Sequence, residues 1–217
     1  MYSLTEAEFR IKAEPFLRQV FVNDDAFDQP FSKRVVGRLI MYPCEYCIEP
    51  PIINAIIDAA ANLGDTGCYI SLYNTSTSSV EPNHCYIPLE DFIEAYTMSG
   101  GLERSIDFRL SMNPYGLDSI IYSASGKWGL ITSHERHGLL GGPVEFIEEI
   151  RSAVPDLDRQ VYGFLGRLRM LLEACQIFPA DVTRNKWLQP LLIHVYGEEK
   201  AEQILLEAKE NPTTIYD

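Results

Sequence analysis

Positive charge is scarce in this chain. Eighteen Lys and Arg face 31 Asp and Glu, a formal net charge of −13 with histidine neutral. That excludes nucleic acid as the expected ligand, because affinity for phosphates is supplied by Lys and Arg. It equally disfavours an anionic membrane surface. Long apolar runs are lacking as well: no window approaches the roughly 20 apolar residues of a membrane-spanning helix. The stretch MYSLTEAEFRIKAEPF is charged and amphipathic, without the apolar heart of a signal peptide. Cysteines number five, an odd count that cannot pair completely within one chain. A reducing, cytoplasmic setting is the expectation.

Complete catalytic fingerprints are missing too. There is no Gly-x-Ser-x-Gly elbow and no Gly-x-x-x-x-Gly-Lys-Ser/Thr phosphate loop. Asp65-Thr66-Gly67 matches the tripeptide of aspartic proteases, but that chemistry needs two such aspartates sharing a proton. The single copy follows a helix end, where it reads as turn chemistry. No catalytic residue is assigned, and the chain leans towards a non-enzyme.

What remains is an ordinary globular composition, 46% hydrophobic and 23% charged over 217 residues. A chain of this length buries about 70% of the surface its unfolded form exposes. Thr5 and Glu8 fit a capping box at the start of a first helix, which Pro15 breaks near Glu14. Ser32 to Met41 reads as a weaker helical run, and Pro51 to Leu63 as a stronger one stopped by Gly64. Strand composition follows at Cys68 to Tyr73 and His84 to Ile87, then a helix over Leu89 to Met98. Ser105 to Met112 alternates as a half-buried strand does. Ser125-Gly126-Lys127 lies between two β-prone runs, which predicts a hairpin over 118–133.

After Gly142 the pattern is helical, with the clearest stripe at Val161, Phe164, Leu165, Leu168 and Leu172. The expected fold is therefore α+β: a small antiparallel meander packed by N-terminal and C-terminal helices. One domain over 1–217 is expected, helical over 1–64, sheet-containing over 65–142 and helical again over 143–217.

Four groupings carry candidate chemistry. Cys44 and Cys47 form a Cys-x-x-Cys, half of a tetrahedral zinc set, but no second such pair exists to complete it. His134-Glu135-Arg136-His137 invites comparison with metalloprotease helices. Those helices need histidines at i and i+4, whereas the spacing here is i and i+3 with glycines following. Gly138, Gly141 and Gly142 read as a turn whose amides open the next helix, where an anion could sit. Tyr122 and Trp128 flank the predicted turn and are candidate anchors for a protein interface, with core packing as the simpler alternative.

The ribbon Tyr122-Ser123-x-Ser125-Gly126-Lys127-Trp128-Gly129, running on to Gly141-Gly142, resembles a feature of small acidic bacterial proteins. Some of these are immunity proteins that neutralise polymorphic or contact-dependent toxins. The resemblance spans about 30 residues. It implies a cytosolic, non-enzymatic inhibitor with no cofactor and no catalytic residues to transfer.

The leading expectation is thus an acidic protein-binding module that occludes a basic partner, with Tyr122, Trp128, His134 and His137 as binding candidates. The alternative is a metal-assisted hydrolase using His134 and His137, with Glu135 nearby, in which a bound metal would activate water.

Overall fold

Among the described residues seven strands form one antiparallel sheet, and helices cover both of its faces. The computed structural model describes residues 1–44, 50–73, 84–96, 118–133, 135–177 and 180–210. The strands are β1 (Tyr2–Leu4), β2 (Gly37–Met41), β3 (Gly67–Tyr73), β4 (His84–Pro88), β5 (Asp118–Ser123), β6 (Gly129–Thr132) and β7 (Gly138–Gly142). They lie in the order β1-β4-β3-β5-β6-β7-β2. The segment 118–142 is a meander at the centre of this order. The two strands nearest the N-terminus close its opposite edges.

Among the described residues the helices are α1 (Glu6–Lys12), α2 (Glu14–Val20), α3 (Pro50–Asn62), α4 (Leu89–Tyr96), α5 (Val144–Ala153), α6 (Gln160–Ala174), α7 (Leu188–Tyr196) and α8 (Glu198–Glu210). The α+β class is the one expected, with a larger sheet.

Local chemistry explains several of these elements. The capping box is present: Thr5 Oγ1 accepts from the Glu8 amide at 3.2 Å, and Glu8 accepts from the Thr5 amide at 3.1 Å. The first helix breaks at Ala13, and Pro15 sits in the first turn of α2, where a missing amide proton costs nothing. Gly64, at φ +83°, ends α3 in the left-handed region as the sequence predicts.

Each strand alternates between two cores. Leu39, Ile70, Ile121, Leu130 and Leu140 face α3, α4 and α5. Ile40, Tyr69, Ile120, Ile131 and Leu139 face α1, α2, α6, α7 and α8.

Three expectations are corrected. The helical reading of Ser32 to Met41 fails, because Gly37–Met41 is edge strand β2 paired with β7. With β1 also extended, the segment 1–64 is not purely helical. Gly138, Gly141 and Gly142 form no turn or anion nest at a helix start; they belong to β7. Their small size is what the packing needs. A Cβ on Gly141 would lie 2.6 Å from Val35 Cγ1 and one on Gly142 2.7 Å from Phe146 Cδ1, so each face of the strand is filled by a neighbour's side chain. Helix α5 begins one residue after Pro143. The strand predicted at 105–112 lies outside the described residues. No described helix is long and apolar enough to cross a membrane.

Candidate functional site

Of the residues singled out in the sequence, Trp128 and Tyr122 are wholly buried, at 0% exposure, on opposite faces of the sheet. Neither can anchor a partner on the folded surface. The ribbon explains why. The Ser123 amide donates to the Trp128 carbonyl across the hairpin at 2.9 Å, and Gly126 takes φ +71° at the turn. Trp128 therefore stands opposite Ser123, while Tyr122 opposes Gly129 and points to the other core.

Trp128 stacks on Phe146 with ring centroids 5.4 Å apart. Its indole N–H donates to Asp65 Oδ2 at 2.9 Å, and the Ser123 hydroxyl donates to the same oxygen at 2.8 Å. Asp65, the aspartate of Asp-Thr-Gly, is thus the buried acceptor that holds the hairpin to the end of α3. Lys127 ties the same tip down by donating to the Leu63 carbonyl at 2.6 Å.

His137 is also fully buried. Its Nε2 lies 3.0 Å from the Ala26 carbonyl, to which it donates. Nδ1 is then the acceptor for the Ser133 hydroxyl at 2.7 Å. Phe164 and Phe27 pack on the ring with centroids 4.3 and 5.0 Å away. Both ring nitrogens serve internal bonds that join the β6–β7 turn to the loop after α2. His134 lies outside the described residues, as does Cys47. Cys44 is buried, and burial pushes its thiol up to about 12, far from the thiolate a metal needs.

A third buried cluster was not legible in the sequence. Ser71 Oγ lies 2.8 Å from His84 Nδ1 and 3.4 Å from the Tyr122 hydroxyl, and His84 Nε2 lies 3.4 Å from Glu6. A serine, an imidazole and a carboxylate in series are the parts of an activated nucleophile. Here, however, Ser71 is fully buried and the imidazole is stacked on Phe9, with centroids 3.6 Å apart and planes 4° off parallel. Burial holds His84 below the usual histidine range against the opposing pull of Glu6. The cluster is an internal bridge that ties the buried serine and imidazole to the exposed Glu6 carboxylate.

One open cleft lies elsewhere, beside the N-terminal end of edge strand β2. Its volume is about 460 Å³, and its walls come from β2, α5 and the α7–α8 junction. Ile147 and Val195 form an apolar floor, while Val36 and Val144 stand exposed at 68% and 50%. Two ion pairs line one side: Arg151 donates to Glu148 at 2.5 Å and to Asp158 at 3.0 Å. Arg38 is held by the carbonyls of Val35 at 2.8 Å and His194 at 2.5 Å.

Comparison with family models, with curated proteins and with solved structures finds no match. The site therefore has to be read from its own geometry. Among the described residues no three metal-ligating side chains converge.

His194, half-buried beside Arg38, supplies a pH-dependent prediction. Burial, reinforced by the Arg38 charge, lowers its pKa to about 4. Between an unfolded value near 6.5 and this folded value, unfolding takes up a proton. Stability is therefore complete above pH 6.5 and falls as the pH drops towards 4. After discounting for solvent screening the loss is about 1–2 kcal/mol. Urea midpoints measured from pH 7 to 5 should slope less steeply in His194→Gln than in the parent; equal slopes would refute the assignment.

Proposed function

We propose that this chain is a non-enzymatic binding protein of the immunity type, which occludes a basic protein partner. The observation that carries this reading is where the charge lies. The chain has 13 negative charges in excess, and its cations are widely spent in internal pairs: Arg10 with Glu6, Lys12 with Glu8, Arg18 with Asp24 and Arg151 with Glu148. With 31 carboxylates against 18 Lys and Arg, one-to-one pairing must leave 13 carboxylates over.

The second support is negative in form but chemical in content. The described serine and histidine side chains best suited to catalysis, Ser71, His84 and His137, are buried and bonded inward. A surface of this kind steers and docks a basic partner rather than reacting with one.

Glu198, Glu199 and Glu202 are exposed on the first turns of α8. Affinity capture from the native cell lysate should retain a stoichiometric basic partner at low salt and release it at high salt. Replacing these three glutamates by glutamine should weaken the measured affinity about tenfold, the equivalent of about 1.4 kcal/mol. Undiminished affinity in that variant would show that the acidic surface is not the contact.

A further inference from the structure

The segment 22–36 leads from α2 into edge strand β2 without a helix of its own. It nevertheless buries Ala26, Phe31 and Val35 in the core. At its base it is tied to α2, where the Ser32 amide donates to the Val20 carbonyl at 2.8 Å. Farther out, two histidines from other elements hold its backbone. His137 donates to the Ala26 carbonyl, and His194 on α7 accepts from the Phe31 amide at 3.3 Å. The His194 ring also lies over the Phe31 ring, with planes 6° apart and centroids separated by 6.0 Å.

The two histidines respond to a proton in opposite ways. A neutral imidazole offers one donor and one acceptor, whereas an imidazolium offers two donors and no acceptor. At His137 the partners are a carbonyl and a hydroxyl. The Ser133 hydroxyl donates to Nδ1 of the neutral ring and can turn to accept from the charged one. At His194 both partners are donors. The Phe31 amide faces Nε2, and Arg38 Nη1 lies 3.3 Å from Nδ1. A neutral ring satisfies one of them. A charged ring satisfies neither and adds a positive charge beside a guanidinium.

We propose that His194 is a proton-operated latch: protonation of its ring expels the Phe31 amide and opens the segment 22–36 away from α7, while the central strands stay paired. Two charges bear on the ring among the described residues. Arg38, from β2, opposes protonation, and Asp28, from the segment itself, favours it. Helix α8 and the 182–184 turn also pack on α7, but bring no charge that acts on the ring among the described residues. Arg38 is anchored to the carbonyls of Val35 and His194, which keeps its charge beside the imidazole. Asp28 accepts from Asn23 Nδ2 at 3.0 Å within its own loop.

Opening would lift Phe31 and Val35 from Gly141 of β7, whose missing side chain leaves the space they fill. The acid form therefore bares that end of β7 together with the inner face of the segment. The latch stands whether or not the acidic surface meets a basic partner.

The test is amide hydrogen exchange of the full chain between pH 7 and pH 5, corrected for the intrinsic pH dependence of exchange. Burial and the Arg38 charge hold the folded ring at about 4, against about 6.5 for a free imidazole. The open form thus takes up the proton first, and the closed form loses ground as the pH falls. Protection of the Phe31 and Val35 amides should drop about tenfold over this range, without the urea dependence of a global opening. Amides of β3 and β5 should stay the more protected. In His194→Gln, which keeps an acceptor for the Phe31 amide and carries no titrating group, the drop should vanish. The His194 ring of the parent, titrated by NMR, needs no variant, and its midpoint should coincide with movement of the Phe31 amide resonance. An equal drop in His194→Gln would overturn the proposal. So would a Phe31 amide that stays in place while His194 titrates, or protection lost only together with β3 and β5.

Discussion

Replacing Trp128 by alanine should destabilise the protein by about 3–5 kcal/mol, the range for a large aromatic lost from a packed core. Three separate losses coincide at this residue. The indole is fully buried, it stacks on Phe146, and its N–H is one of two donors to the buried oxygen of Asp65. Trp128→Phe narrows the comparison, since it keeps one aromatic ring against Phe146 while removing the donor and the smaller part of the indole. That variant should lose about 1–3 kcal/mol, the cost of leaving a buried acceptor short of a partner. Urea unfolding followed by circular dichroism measures both. A loss below about 1 kcal/mol in the alanine variant would mean that the hairpin is not held through this residue.

The second large effect is expected at His137. Alanine there should cost about 2–4 kcal/mol, because it opens a cavity beside Phe164 and strands the Ser133 hydroxyl and the Ala26 carbonyl. The direction matters as much as the size. A histidine that served as a metal ligand would, when removed, abolish a metal-dependent activity with modest effect on folding. A histidine that pins a turn to a distant loop should do the reverse. Calorimetric melting of His137→Ala, with and without added zinc, distinguishes them. An unchanged melting temperature without metal, together with a zinc-dependent stabilisation of the parent alone, would return His137 to the ligand role.

These two residues also show what can be read from one sequence. The helix starts were legible because their signals are local. Thr5 and Glu8 lie within one turn, and Pro50-Pro51 and Gly64 bracket α3. The hairpin was legible for the same reason. Strand β2 was not, because Leu39, Ile40 and Met41 are all buried, between cores on both faces. A strand covered on both sides loses the alternation that identifies it and passes for part of a helix.

Strand β7 was hidden by its glycines, which suggest a turn until the Phe31, Val35, Phe146 and Trp128 side chains that crowd them are known. The internal roles of His137 and Asp65 were hidden because their partners, Ala26 and Trp128, are far away in the chain. The cleft is assembled from residues near 36–38, 144–151, 158 and 195–200, and no motif spans such gaps. Charge, by contrast, needs no geometry, and the excess of carboxylates was visible from the start.

The arrangement of the sheet's margins has a consequence for how the chain is made. Tyr2 pairs with Tyr86, and Gly37 pairs with Gly142. On a ribosome both margins therefore emerge well before the strands they adjoin. The Val35-to-Met41 stretch, apolar and sticky, must wait unpaired until residues 138–142 have been added. Such distant pairings delay assembly relative to neighbouring ones. During that interval the nascent chain carries an exposed β-prone segment, and the charges of Lys33, Arg34 and Arg38 in and beside it then act as gatekeepers against its association.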